Sequence, residues 1–257
     1  MNRGLPQSLQ RRLDPKARFG LRATLFGLAV VLVAVPFAYL LFEVLGQGPF
    51  TRWDVRMAEA IHEWVLERQG FVSILDRVSL LGKPLWLAFI VTLAGIYVFV
   101  RGRRRLALYL VVAVAGGGLV DSAVKIAVNR PRPELTEPLA HAFGKSFPSG
   151  HAMSSMVTYG VLLLVLLPVV SRAWRAFAWS AAGLLVVLIG ASRLMLGVHF
   201  VSDVLGGWIL GIAWLSAVTA AFSIWRKEEG KPAVAVTEGV EPEAAQDLAP
   251  EHAVPEP

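Results

Sequence analysis

Six long apolar stretches constrain this chain more than any other feature of its sequence. A helix that crosses the hydrocarbon core of a bilayer needs about 20 residues, and six segments reach or approach that length. They are Thr24–Glu43, Pro84–Val100, Leu106–Val128, His151–Val170, Ala176–Ser192 and Val201–Trp225. Apolar residues make up 55% of the 257 residues, and the charges lie in short clusters between the stretches. The predicted fold is an all-α, polytopic membrane protein with a bundle of six transmembrane helices.

Two segments flank the predicted six-span domain of residues 24–225. Residues 1–23 form a basic arm, and the apolar stretch after it is too long for a secretory signal peptide, so we expect an uncleaved anchor. Residues 226–257 are rich in Pro, Ala and Glu. That composition cannot bury enough apolar surface to fold, so we predict a disordered acidic tail that is peripheral to function.

The distribution of Lys and Arg predicts the orientation in the membrane. If the amino terminus is inside, the inner segments hold 15 of the 25 Lys and Arg residues, and the short loop Arg101–Arg105 alone carries four arginines. Basic residues in short loops favour the cytoplasmic side. We therefore expect a plasma or inner membrane protein with both termini cytoplasmic.

A further helix is predicted between the first two spans. Trp53, Met57, Ile61 and Trp64 fall on one face of a helix over residues 53–67, with acidic residues on the others. The pattern is typical of an amphipathic helix at the outer membrane surface. An ordinary loop helix packed on the bundle explains it equally well.

Composition also excludes several classes of function. The chain has no cysteine, so disulfides and thiolate metal sites are excluded. The net charge of +6 comes from residues at the ends of apolar stretches, which does not suggest nucleic acid binding. No nucleotide-binding glycine loop or zinc-binding H-E-x-x-H pattern is present.

Three short blocks carry the candidate chemistry, and the predicted topology places all of them at the outer ends of spans three to six. They are Lys125–Pro133, Pro148–His151 and Ser192–Asp203. Together they supply cations, two histidines, a carboxylate and a turn of small residues. This set of groups can hold a phosphoryl group, attack it and protonate the leaving oxygen.

Each block also has a simpler structural explanation when it is taken alone. Lys125 lies four residues after Asp121 and can be an interfacial lysine paired with it. Ser149 and Gly150 suit any helix start, where free N–H groups bind anions. His199 and Asp203, four residues apart, would stack if a helix began near His199. We favour the functional explanation because each block supplies groups that the others lack.

These residues resemble the signature of the type 2 phosphatidic acid phosphatase superfamily, the lipid phosphate phosphatases. The pattern K-x6-RP matches Lys125, Arg132 and Pro133, PSGH matches Pro148 to His151, and SR-x5-H-x3-D matches Ser192, Arg193, His199 and Asp203. The resemblance covers about Thr24 to Trp225.

The resemblance implies a metal-independent mechanism without cofactors. His199 would attack phosphorus to form a phosphohistidine while Asp203 orients its imidazole, and His151 would act as general acid. The nonbridging oxygens would be held by Lys125, Arg132, Ser149, Gly150 and Arg193. The implied substrate is a lipid phosphate or diphosphate in the bilayer: polyprenyl diphosphate, phosphatidylglycerol phosphate or phosphatidic acid.

Other functions remain open at this stage. A lipid phosphotransferase would use the same histidines, and a non-catalytic phospholipid-binding or transport protein would keep the anion pocket. A structural protein is a third class, since Gly207 and Gly211 form a small-xxx-small pair that permits a homodimer or close packing within one bundle. His62 and His141 are predicted to lie at the surface.

Overall fold

A computed structural model describes residues 21–137 and 139–249, with side chains from residue 31 onward except at residue 69. These ranges contain helices and turns but no β-strand. The helices are α1 (Leu21–Gly46), α2 (Pro49–Leu66), α3 (Gln69–Leu80), α4 (Pro84–Val100), α5 (Arg104–Val128), α6 (Gly150–Leu166), α7 (Arg172–Met195), α8 (Val201–Glu228) and α9 (Ala245–Leu248). The predicted all-α class is confirmed. Residues 1–20 of the predicted arm and 250–257 of the predicted tail lie outside the described ranges.

Five segments of the described chain are long and apolar enough to cross a membrane. They are Gly70–Val100, Arg104–Val128, Gly150–Val169, Arg172–Met195 and Val201–Glu228. A sixth candidate is the pair Val31–Gly46 and Pro49–Leu66, which is bent by 82°. The bend follows from Gln47, which has a left-handed backbone, and from Pro49, which starts the next helix. The polytopic architecture is confirmed, with five spans, or six if the bent pair counts as one.

Helix α6 is the central helix of the bundle. It contacts α4, α5, α7 and α8, and 50% of its most apolar window is buried, against 17–28% for the other four candidate spans. The other helices keep large apolar side chains exposed, among them Leu85, Leu119 and Ile126. An apolar exterior of this kind is the surface that a helical bundle presents to lipid.

Small residues let the helices around α6 approach closely. A Cβ atom on Gly207 would lie 2.7 Å from the carbonyl oxygen of Ser149, and one on Gly211 would lie 3.0 Å from Cβ of Met156. Both glycines of the small-xxx-small pair therefore pack α8 against α6 of the same chain. Homodimerisation stays a prediction, and this pair gives it no support.

Helix α2 packs against α7 and α8, which agrees with its interpretation as a loop helix packed on the bundle. Its buried face consists of Asp54, Ala58, His62 and Val65, whereas Trp53 and Trp64 are exposed. The prediction that His62 lies at the surface is wrong: the side chain is 3% exposed, because the face that carries it is turned toward the bundle. His141 is exposed, as predicted.

The carboxyl-terminal segment differs from the predicted disordered tail. Residues 236–248 form two 3₁₀ turns and α9, and Val240, Ala244 and Leu248 join the apolar core of α5, α6 and α8. Glu241 accepts hydrogen bonds from Lys231 (2.8 Å) and Arg103 (3.4 Å). Basic residues that cap the helices at this end of the bundle thus attract the acidic segment and hold it against the core.

Candidate active site

The three sequence blocks meet at one end of the bundle, which we call the site end, opposite the end that holds residues 236–248. Helix α5 stops at Asn129, whose φ of 55° is left-handed, just before Pro131. Helix α7 stops before Gly197, which has φ of 72°. The chain therefore leaves α5 and α7 next to the points where α6 and α8 begin.

Lys125 lies in the last turn of α5 and faces the start of α6. Its Nζ donates to both carboxylate oxygens of Asp121, at 2.6 and 2.7 Å, and to the carbonyl oxygen of Pro148 at 2.7 Å. A Cβ atom on Gly150 would lie 3.2 Å from that Nζ. The lysine is thus held beside the amino terminus of α6, where free N–H groups also favour an anion.

Ser149 and His151 each present a polar atom that no described residue satisfies. Ser149 is fully buried at the N-cap position of α6. A serine there is expected to cap the helix, but its hydroxyl makes no capping hydrogen bond. Within the described part of the chain, Ser149 Oγ, His151 Nε2 and Arg193 Nε are three of eight buried side-chain atoms without a hydrogen-bond partner. The other five belong to His62, Thr158, Trp208 and Glu241. Buried polar groups normally find partners. These three atoms, one from each of three signature positions, therefore mark a place suited to a polar ligand.

Two arginines supply fixed positive charge to this end of the bundle. Arg193 is 7% exposed, and its Nη1 donates to Ser79 Oγ at 2.6 Å. Arg132 is anchored by four backbone carbonyls, those of Phe143, Gly144, Lys145 and Val198. The loop that follows α5 is therefore wrapped around the guanidinium of Arg132, which makes the position of its charge rigid.

His199 lies between Arg132 and Asp203. Arg132 Nη1 is 3.1 Å from His199 Nε2, and His199 Nδ1 is 3.3 Å from Asp203 Oδ2. Because arginine can only donate, Nε2 must carry the lone pair and Nδ1 the proton. Burial lowers the pKa of His199 from 6.5 to about 4, and the charges of Arg132 and Arg193 act in the same direction, against the carboxylate of Asp203. The imidazole is therefore neutral at physiological pH, and its Nε2 lone pair accepts a hydrogen bond from Arg132.

His199 and Asp203 were predicted to stack on one face of a helix that begins near His199, and the structure differs from this prediction. Helix α8 begins at Val201, so His199 lies in the turn before it. Asp203, in the first turn of α8, reaches back and accepts from the backbone N–H of Phe200 at 2.9 Å. The carboxylate therefore caps its own helix and contacts the imidazole with the same oxygen.

Sequence reasoning missed a second layer of polar residues behind Asp203. Arg130 Nη1 is 2.7 Å from Asp203 Oδ1, and its Nη2 is 3.0 Å from Asp54 Oδ2. Ser146 and Ser202 also donate to these two carboxylates. The position of Arg130 inside the first block, two residues before Arg132, was a usable signal. No local pattern distinguishes Asp54, whose importance follows from the packing of α2 on the bundle.

The fold is that of a polytopic helical membrane protein, and one end of its bundle brings together several cations and two histidines. The sequence model of the PAP2 superfamily matches residues 106–227. Phosphatidylglycerophosphatase B of Bacillus subtilis is 32% identical over 179 residues, which cover 68% of this chain and 87% of that protein. The chain belongs to the PAP2 superfamily, as its resemblance predicted.

Other relatives are similar over shorter regions. A lipid A 1-phosphatase of Rhizobium etli is 32% identical over 121 residues, which cover 44% of this chain and 48% of that protein. An undecaprenyl-diphosphatase of Sulfolobus acidocaldarius is 39% identical over 71 residues, which cover 28% of this chain and 30% of that protein. The names of these relatives agree with the predicted enzyme class, a phosphoric monoester hydrolase that acts on membrane lipids.

A solved structure has a similar fold. The crystal structure of a transmembrane PAP2-type phosphatidylglycerolphosphate phosphatase from Bacillus subtilis superimposes with a TM-score of 0.67 at 26% sequence identity. The match covers 74% of this chain and 94% of that chain. Its transmembrane architecture agrees with the multi-span bundle described above.

Proposed function

We propose that this protein is an integral membrane phosphatase that hydrolyses a lipid phosphate or diphosphate through a phosphohistidine intermediate. The observation that carries the proposal is the arrangement around His199. Its Nε2 faces Arg132 at 3.1 Å and its Nδ1 faces Asp203 at 3.3 Å. Three buried polar atoms that have no partner among the described residues, from Ser149, His151 and Arg193, belong to the same set of signature residues. This arrangement suits a nucleophile beside a bound phosphoryl group.

In the first step, a phosphate oxygen takes over the hydrogen bond that Arg132 donates to His199 Nε2. The freed lone pair of Nε2 attacks phosphorus while the bond from phosphorus to the lipid oxygen breaks. His151 gives a proton to that oxygen, which leaves as an alcohol, or as a lipid monophosphate when the substrate is a diphosphate. Asp203 stabilises the charge that develops on the imidazole. The charged and N–H donors of Lys125, Arg132 and Arg193 hold the nonbridging oxygens as charge redistributes.

In the second step, water attacks the phosphorus of the phosphohistidine. His151, now neutral, accepts a proton from the water, and the bond between phosphorus and His199 Nε2 breaks. Inorganic phosphate leaves and both histidines return to their starting states. Dividing the reaction into two displacements lowers the barrier of each, and no metal or cofactor takes part in either.

We propose a substrate from one of three classes: phosphatidylglycerol phosphate, polyprenyl diphosphate or phosphatidic acid. We put phosphatidylglycerol phosphate first because the similarity to phosphatidylglycerophosphatase B extends over 87% of that protein. The similarity to an undecaprenyl-diphosphatase covers 28% of this chain. Both kinds of substrate present a terminal phosphoryl group to the same site.

A substrate panel on purified protein in detergent, with chelator present, tests this proposal. We expect release of inorganic phosphate from at least one of the three classes. His199→Ala should abolish the release, and His151→Ala should lower it by roughly 10²- to 10⁴-fold because a general acid is lost. His141→Ala is the matched control, since His141 is exposed, and it should keep wild-type turnover. Wild-type turnover in both His199→Ala and His151→Ala would refute the mechanism, and transfer of phosphate to an added lipid or sugar acceptor would identify a phosphotransferase.

A further inference from the structure

Behind Asp203 lies a buried chain of ion pairs with Arg130 and Asp54, neither of which is a signature position. Arg130 is 7% exposed, and the carboxylates of Asp54 and Asp203 are fully buried. We propose that Arg130 and Asp54 are positioning residues, which fix the carboxylate of Asp203 and, through it, the imidazole of His199. The inference rests on the proposed function, in which His199 is the nucleophile.

The two oxygens of Asp203 have separate tasks in this arrangement. Oδ2 accepts from the backbone N–H of Phe200 at 2.9 Å and lies 3.3 Å from His199 Nδ1. Oδ1 accepts from Arg130 Nη1 at 2.7 Å. Because the guanidinium holds Oδ1, the carboxylate cannot rotate, and Oδ2 stays directed at the imidazole.

Asp54 holds Arg130 in the orientation that this task requires. Its Oδ2 accepts from Arg130 Nη2 at 3.0 Å, and its Oδ1 accepts from the backbone N–H of Ser202 at 3.0 Å. The ring of Phe200 lies against the guanidinium, with the Arg130 Cζ atom 4.1 Å from its centroid. The planar guanidinium of Arg130, held between two carboxylates and an aromatic ring, has little conformational freedom. A lysine could not form hydrogen bonds to both carboxylates in this geometry.

The geometry also separates this pair from the groups proposed to hold phosphate. Arg130 contacts the oxygen of Asp203 that His199 does not use, whereas Arg132 contacts His199 directly. Loss of Arg130 should therefore slow the chemical step and leave substrate binding nearly unchanged. In kinetic terms, kcat should fall while KM stays close to its wild-type value.

The test uses two variants and two matched controls in the full-length protein. Arg130→Gln and Asp54→Asn remove charge from the chain behind Asp203. Arg226→Gln and Glu241→Gln do the same to buried ion pairs at the other end of the bundle, where Arg226 is 3% and Glu241 is 2% exposed. For each protein, kcat, KM and the melting temperature in detergent are measured with the best substrate of the panel.

We expect Arg130→Gln to lower kcat by roughly 10- to 100-fold, the usual cost of losing a group that orients a functional histidine. Its KM should change by less than about two-fold. Asp54→Asn should act in the same direction with a smaller effect, and Arg130→Lys should not restore the wild-type kcat. The controls should lose melting temperature and keep kcat. Wild-type kcat in both Arg130→Gln and Asp54→Asn would overturn the proposal.

A double-mutant cycle separates positioning from a general structural role. If Arg130 acts through Asp203, then Arg130→Gln should have almost no further effect on kcat in an Asp203→Asn background. The same fold-loss in both backgrounds would overturn the proposal. If Arg130→Gln does not fold, the same comparison of kcat is made with Asp54→Asn in the wild-type and Asp203→Asn backgrounds. Failure of the proposed function would look different, since wild-type protein would release no phosphate or His199→Ala would remain active.

Discussion

At the scale of single residues, His199 derives its chemical state from two neighbours of opposite charge. Arg132 can only donate a hydrogen bond, so it requires a lone pair on Nε2, and Asp203 accepts the proton of Nδ1. Burial disfavours the charged imidazolium, and the cation of Arg132 disfavours it further. The carboxylate of Asp203 opposes both effects but does not outweigh them. The ring is thus kept neutral without losing its orientation.

This balance predicts how activity depends on pH. The pKa of His199 in the folded protein is about 4, below the usual 6.5, so the neutral form persists as the pH falls below 6.5 and is lost only near pH 4. Arg132→Gln removes a cation that repels the imidazolium, so the pKa of His199 should rise and the acid limb of kcat/KM should move to higher pH. The measurement is kcat/KM for both proteins with one substrate, so that ionisation of the substrate cancels.

The control for this prediction is Lys145→Gln. Lys145 is an exposed cation in the same loop, and its loss should leave the acid limb where it is in the wild type. An acid limb at the same pH in Arg132→Gln and wild type would contradict the electrostatic role of Arg132.

Ser149 gives a second prediction at this scale. Its buried hydroxyl has no hydrogen-bond partner among the described residues, so Ser149→Ala removes nothing that stabilises the protein. A hydrogen bond to a charged ligand contributes about 1.5–3 kcal/mol, so the inhibition constant for inorganic phosphate should rise roughly 10- to 100-fold. The melting temperature should not fall.

Ser155 in the same helix is the matched control for Ser149. It is equally buried, but its hydroxyl donates to the carbonyl oxygen of Ala152 at 3.1 Å. Ser155→Ala should leave the inhibition constant for phosphate unchanged. An unchanged inhibition constant in Ser149→Ala would show that its hydroxyl does not face the anion.

At the scale of helices and loops, the sequence was informative where local chemistry decides the structure. Apolar length predicts the spans, and Pro131 predicts that α5 ends before it. The sequence was less informative about contacts between distant parts of the chain. Asp54 joins the site because α2 packs on the bundle, and the segment around Glu241 is ordered because it meets Arg103. Such contacts depend on the tertiary fold, which no periodicity in the segment itself encodes.

The contact between α6 and α8 yields a prediction at the scale of elements. A Cβ atom on Gly207 would lie 2.7 Å from the carbonyl oxygen of Ser149 and 3.1 Å from the backbone nitrogen of Met153. Gly207→Ala must therefore push the start of α6 away from α8, at a cost of about 1–3 kcal/mol. We expect a lower melting temperature together with a loss of kcat/KM, since the same backbone carries Ser149.

Gly118→Ala in α5 is the control for this contact. A Cβ atom there would have no neighbour within 4 Å, and alanine favours helix over glycine by about 1 kcal/mol. Gly118→Ala should therefore keep or raise the melting temperature and keep activity. Wild-type behaviour of Gly207→Ala would mean that α6 and α8 are not as close as described.

At the scale of the whole molecule, the two ends of the bundle have different electrostatic character. The site end holds two of its cations, Arg130 and Arg193, in buried positions. The other end carries the cluster Arg101–Arg105, where Asp247 pairs with Arg103, and Glu243 pairs with Arg226 nearby. The positive-inside rule counts basic residues and gives little weight to acidic ones. The pairing of this charge therefore does not alter the orientation predicted from the sequence, which stays a prediction.

This orientation can be tested with single cysteines, because the natural sequence contains none. Phe143→Cys places a thiol in a site-end loop at a position that is 95% exposed, and Val236→Cys places one near the opposite end at a position that is 54% exposed. In cells with an intact membrane, a membrane-impermeant maleimide should label Phe143→Cys, and Val236→Cys should react only after permeabilisation. The reverse pattern would put the site on the cytoplasmic face. Each variant must retain phosphatase activity, so that the labelled protein is the folded one.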